Sequence, residues 1–192
     1  MSFISSVFSW FMKQRIHQIE LFIKYPHEVQ EDVLRKLIAE ARFTEWGRQN
    51  DYSSLENSQQ FKERIPLQDY ESLKPYILRL INGEQNLLWN TEIKWFAKSS
   101  GTTNDKSKFI PVSSEALEEC HYKGGKDLLC IYFHNKQESE LFNGKLLTMG
   151  GSQQINALSN ESHSGDLSAI LIQNLPFWFE LFRTPGVDVA LM

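Results

Sequence analysis

Cysteine is scarce in this chain: two, Cys120 and Cys130, occur in 192 residues. On a shared helix they would stand about 15 Å apart along the axis, beyond the reach of a disulfide, so both read as free thiols. Neither has a second ligand at zinc-finger spacing, and His121, although adjacent to Cys120, points in a different direction on a helix. Positive charge is also in short supply. A net charge of -4 offers no broad field to a nucleic-acid backbone or an anionic membrane, so any phosphate binding has to be local. No run of about 18 apolar residues occurs, which argues against a transmembrane helix. The apolar start, Phe3 to Met12, is followed rather than preceded by Lys13 and Arg15, the reverse of a secretory signal. The expectation is a soluble, cytoplasmic protein with no nucleic-acid or membrane partner.

What the chain does have is ordinary globular composition, 41% hydrophobic and 23% charged, enough for one sizeable core. Helical spacing runs through Ile4, Val7, Phe8, Phe11, Ile16, Ile19 and Ile23, predicting a helix over 3–24 that ends at Tyr25 and Pro26. A second helix, His27 to Arg42, carries Val29, Val33, Leu34, Leu37, Ile38 and Ala41 on one stripe; both stripes read as core. Asn50 to Gln60 is polar and reads as a loop, and Leu67 to Asn82 returns to helical spacing around Pro75, which predicts a kink or two short helices. Asn82-Gly83 is a stop that tolerates a left-handed backbone.

Beyond Gly83 the period changes. Glu92 to Ser99 and Lys108 to Val112 are short apolar runs that predict two strands around a polar loop. Ser113 or Ser114 can cap a helix running to about His134, with Leu117, Cys120, Gly124, Leu128 and Ile131 on one stripe. Gly124 and Gly125 cost about 1 kcal/mol each relative to alanine in a helix, so close packing or ligand approach is expected there. Lys145 to Met149 predicts a strand ending at Gly150-Gly151, and Leu167 to Ile172 and Leu175 to Arg183 add apolar segments. The fold class is therefore α/β: a mainly helical part over 1–83, then strands and helices over 84–192.

Chemistry concentrates in Ser99 to Pro111, S-S-G-T-T-N-D-K-S-K-F-I-P, directly after a strand. Gly101 lets a ligand approach the backbone, and the hydroxyls of Ser99, Ser100, Thr102 and Thr103 can donate to phosphate oxygens. Lys98, Lys106 and Lys108 add mobile point charges. A flexible hairpin made of ordinary turn residues reads from the same letters. A Walker loop does not, because the pattern begun at Gly101 requires glycine at position 106, where Lys106 stands, and the Lys108-Phe109-Ile110 run with Pro111 favours a strand over a helix.

Ser99-Ser100-Gly101-Thr102-Thr103, with Lys108 and Pro111 following, resembles the first nucleotide-binding motif of the acyl-acid amido synthetases, the auxin-responsive Gretchen Hagen family. That family lies within the firefly-luciferase and acyl-CoA synthetase superfamily, whose equivalent loop is one residue shorter than Ser100 to Lys108 requires. Asn82-Gly83-Glu84, Trp95-Phe96, Gly144-Lys145 and Leu175-Pro176 fall in the order of bacterial members, so the resemblance spans nearly the whole chain. Plant members usually carry a second glycine where this chain has Asn104-Asp105; Asp105 either faces solvent or helps to hold a lysine or a magnesium ion.

The resemblance implies the first part of a large adenylate-forming domain, with the adenine-gripping motifs and a mobile C-terminal domain expected in the remainder of the polypeptide. It implies ATP and Mg2+ as cofactors, with a carboxylic acid and an amine, an amino acid by expectation, as substrates. Ser99, Ser100, Thr102, Thr103 and Lys106 then hold the phosphates, Gly101 permits their approach, and Lys108 stabilises charge. These 192 residues alone are expected to be inactive. An acid carboxylate beside His121 and Lys123 competes with plain surface roles for both, as a ligand loop at Gly150-Gly151-Ser152 does with a tight turn. Two other classes compete: a non-catalytic nucleotide- or anion-binding module, and a helical interaction protein docking through Phe8 and Phe11, residues more simply read as core.

Overall fold

The computed structural model describes residues 3–99, 108–136, 145–147, 154–176 and 183–184. Two long helices open the chain, α1 (Phe3–Lys24) and α2 (Pro26–Ala41), with Pro26 at the first helical position, where its missing N–H costs nothing. Arg15 reaches across from α1 to Asp127 with two charge-assisted bonds of 2.5 and 2.6 Å.

The stripe on α2 is only half a core. Ile38 and Ala41 are buried, but Val33 is 52% exposed and Leu37 is also open, and on α1 Ile23 faces solvent. Periodicity identifies the apolar side of a helix without saying how much of it finds a partner.

Asn50 to Gln60, read as a loop, contains a 3-10 turn, Tyr52–Ser54, and the start of α4 (Ser58–Arg64). The Asn57 side chain accepts the Gln60 N–H at 2.9 Å, a cap that polar composition concealed. Before it, the short α3 (Glu45–Gln49) is capped by Thr44, which is fully buried.

The next helix, α5 (Tyr70–Ile81), runs unbroken through Pro75 as one helix, not two. Its ends are well fixed. Asp69 and Ser72 form a reciprocal capping box at the start, while Gly83, at φ +93°, ends it with bonds from Gly83 N–H to Leu80 O and Glu84 N–H to Arg79 O. With Ile77 and Leu80 buried on its inner side, these terms outweigh the roughly 3 kcal/mol that an internal proline costs.

Both predicted strands are present, shortened to β1 (Trp95–Lys98) and β2 (Phe109–Val112), antiparallel with Lys98 opposite Phe109. The sheet order is β2-β1-β5-β4, with β4 (Asn156–Ala157) antiparallel to β5 (His163–Gly165) and β5 parallel to β1. Sequence pattern missed β4 and β5. They have no apolar alternation, and their turn uses Asn160 and Glu161 at φ 51° and 61° in place of the usual glycine. A separate parallel pair joins β3 (Leu146–Leu147) and β6 (Arg183–Thr184); the predicted strand end at Met149 and the Gly150-Gly151-Ser152 turn lie outside the described residues.

Alternation along β1 builds two cores. Phe96, with no exposed surface, packs with Ile77, Leu80, Leu87 and Ile93 on the α5 side. Ala97 and Val112 pack with Leu117 and Ile170 on the other, where α7 (Leu167–Gln173) lies. Full burial of a side chain such as Phe96 contributes about 1.5–3 kcal/mol.

Ser113 caps the following helix, accepting the Ala116 N–H at 3.1 Å. That helix begins with a π segment, Ala116–Tyr122, and continues as α6 (Lys123–Asn135). The predicted stripe fails there: Leu117 is buried, but Cys120 and Ile131 are exposed and Leu128 is 69% exposed, while Cys130 is buried. Hydrogen bonds from i to i+5 slow the helical rotation, so a 3.6-residue count started at Leu117 arrives on the wrong face. The close approach expected at Gly124 and Gly125 is not found either, since a Cβ at either position meets no described atom within 4 Å.

Candidate phosphate loop on the β1–β2 hairpin

The strands position the candidate loop by their register. After the last β1–β2 pair, Ser99 N–H donates to the Lys108 carbonyl at 2.9 Å, and Lys108 N–H reaches the Ser99 hydroxyl at 3.3 Å. Ser99 and Lys108 therefore face each other as the two ends of one hairpin loop, in agreement with two strands around a polar connection. Ser100, Gly101, Thr102, Thr103 and Lys106, with Asn104 and Asp105, lie outside the described residues. Of the predicted site residues, the structure brings together Ser99 and Lys108.

Lys108 is exposed, and its ammonium stands 5.1 Å from the centre of the Tyr70 ring. That distance is within cation–π range. The Tyr70 hydroxyl in turn accepts the Phe109 N–H at 3.0 Å. Among the described strands β2 lies at the edge of the sheet, so this N–H has no described strand partner on that side, and Tyr70 satisfies it. Helical spacing over Leu67 to Asn82 includes Tyr70 without giving it a part at the loop. Nothing local could have tied it to a residue so far along the chain.

Three residues after β2, Glu115 accepts hydrogen bonds from Trp89 Nε1 at 3.1 Å and Thr91 Oγ1 at 2.9 Å. Partial burial pushes its carboxyl upward, but its own backbone N–H and these donors outweigh that and hold it below the usual carboxylate range. The contact ties the segment before β1 to the helix after β2.

His121 and Lys123 have no hydrogen bond or ion pair to Ser99 or Lys108 among the described residues. Lys123 is paired with Glu119 at 2.6 Å, and Asp127 is held by Arg15. Both cysteines are free, as expected, and the buried Cys130 thiol, raised by its burial, lies 3.0 Å from Met12 Sδ. Among the described residues no helix is long and apolar enough to cross a membrane.

The model of the GH3 family N-terminal domain matches residues 15–192. The chain belongs to the GH3 family. Relatives in this family include jasmonoyl-L-amino acid synthetase JAR4 of Nicotiana attenuata, 34% identical over 104 residues, a match covering 54% of this chain and 18% of that protein. Indole-3-acetic acid-amido synthetase GH3.2 of Arabidopsis thaliana is 34% identical over 101 residues, covering 52% of this chain and 18% of its own length. The matches thus span less than a fifth of either relative. Among solved structures, the GH3.15 acyl acid amido synthetase superposes with a TM-score of 0.74 at 21% identity, over 91% of this chain and 30% of that one. A second structure, AtGH3.15 in complex with 2,4-DB, gives 0.65 at 24% identity, over 76% and 25%. The structural likeness shows the mixed α/β fold of this chain.

Proposed function

We propose that the full-length protein is an ATP-dependent acyl-acid amido synthetase, and that residues 1–192 form the N-terminal part of its large adenylate-forming domain. A substrate carboxylate attacks the α-phosphate of ATP, the bond to pyrophosphate breaks, and an acyl-adenylate results. An amine, an amino acid in this reading, then displaces AMP to form the amide. One relative is named a jasmonoyl-L-amino acid synthetase and another an indole-3-acetic acid-amido synthetase, which supports the reaction class.

The observation that carries the reading for this chain is the hairpin register: Ser99 and Lys108 close a loop whose sequence is a run of hydroxyls, one glycine and lysines. Positioning and charge stabilisation on phosphate oxygens dominate such a step, and small donors with a mobile ammonium suit it. Ser99, Ser100, Thr102, Thr103 and Lys106 hold the phosphates, Gly101 admits them, and Lys108 follows the charge as it shifts to the leaving pyrophosphate. Magnesium would enter with the nucleotide and offset charge on the phosphate oxygens, and Asp105 is the carboxylate of the loop that could help to hold it. The cytoplasm, which supplies the ATP, is part of the same proposal.

The test is ATP–pyrophosphate exchange by the full-length gene product with a panel of carboxylic acids. Exchange with at least one acid, reduced roughly tenfold or more by Lys108→Ala or Gly101→Val, is the expected result. Tight nucleotide binding without exchange for any acid makes the protein a binding module and ends the enzymatic reading. Residues 1–192 alone are expected to give no exchange.

A further inference from the structure

We infer that Tyr70 is a positioning residue for the phosphate loop, acting through Lys108; the inference rests on the nucleotide reading above. Three observations converge on this side chain. Its ring lies 5.1 Å from the Lys108 ammonium, and its hydroxyl takes the edge N–H of Phe109 at 3.0 Å. Its backbone is the first residue of α5, immediately after the Asp69 cap, and the reciprocal Asp69–Ser72 bonds fix that turn.

Each contact has a distinct consequence. The hydroxyl bond fixes where β2 begins, and with it the second end of the loop. The ring face attracts the ammonium and confines a long, exposed side chain that would otherwise sample many rotamers in water. Lys108 thus waits at the mouth of the hairpin, and less of its freedom is lost when a phosphate arrives. A purely structural tyrosine needs only the hydroxyl bond. The placement of the ring under the lysine is what assigns Tyr70 to the site.

The experiment is a double-mutant cycle on ATP affinity, measured by titration of the full-length gene product with Tyr70→Leu, Lys108→Ala and the pair. Tyr70→Leu alone is expected to weaken ATP binding roughly three- to tenfold. In the Lys108→Ala background the same change is expected to cost clearly less, because the ring's part of the loss needs Lys108 and only the hydroxyl's part, through the Phe109 N–H, remains. An equal loss in both backgrounds makes Tyr70 structural and overturns the inference. A full loss for Lys108→Ala with none for Tyr70→Leu overturns it too, while leaving the nucleotide reading intact. No loss for Lys108→Ala overturns both. Should Tyr70→Leu fail to fold, isosteric fluorinated phenylalanines at position 70 replace it: affinity is expected to fall stepwise as fluorine drains the ring face, and a flat series refutes the ring's role.

Discussion

Adding one methyl group at Gly47 and at Gly124 is the same chemical change in two surroundings. At Gly47 an alanine Cβ would lie 2.1 Å from the Ala41 carbonyl oxygen and 2.9 Å from its carbon. The first contact is roughly 1 Å or more inside ordinary approach, and both atoms are backbone, so relief requires the end of α2 to move away from α3. That same carbonyl accepts the Thr44 hydroxyl at 2.7 Å, and Thr44 Oγ1 caps α3 by accepting the Gly47 N–H at 2.9 Å. Overpacking costs about 1–3 kcal/mol and loss of the cap about 1 more, so Gly47→Ala should destabilise the chain by about 3 kcal/mol. Gly124 is exposed within α6 and has no described neighbour at its Cβ position, so Gly124→Ala should stabilise by about 0.5–1 kcal/mol through helix propensity and a less flexible unfolded chain. Urea unfolding followed by circular dichroism should separate the two midpoints by roughly 1 M or more. A Gly47→Ala stability within about 0.5 kcal/mol of the parent would refute the close approach of α2 to α3, and a destabilising Gly124→Ala would refute the open surface of α6.

Glu115 makes stability depend on pH. Its folded-state pKa is depressed from the ordinary value of 4.5, so its contribution is complete above that value and disappears as pH falls through the lower folded value. Between about pH 5 and about pH 3 the urea midpoint of the parent should fall more steeply than that of Glu115→Gln; parallel profiles would mean that the Trp89 and Thr91 contacts do not favour the charged form. The thiols should separate by burial: a maleimide should label the exposed Cys120 in the native chain and Cys130 only after unfolding. Equal native labelling of both, read by mass spectrometry, would contradict the packing of Cys130 near Met12.

The parts of this fold that were legible in the sequence are those fixed by neighbours along the chain. The limits of α1, the hairpin strands, the Ser113 cap and the left-handed stop at Gly83 each follow from a residue type and a spacing. Exposure on α2 did not, because Val33 and Leu37 look like core residues until the partners of the helix are known. Polar residues hid real elements twice: Asn57 starts α4 with its side chain, and β5 is built around Ser164, which is buried yet has no apolar pattern to announce it. At the candidate site, the pairing of Ser99 with Lys108 was legible as two strands around a polar loop, whereas Tyr70 meets Lys108 only because α5 packs beside the edge of the sheet.

The π segment at 116–122 also bears on how this chain is compared with others. A helix that gains a residue within one turn changes phase for all that follows, so a relative without that widening aligns correctly to α6 only across a single-position gap. Forced into register without one, residue-by-residue comparison would pair the buried Cys130 with a solvent-facing position and mistake a shift of phase for a change of side chain.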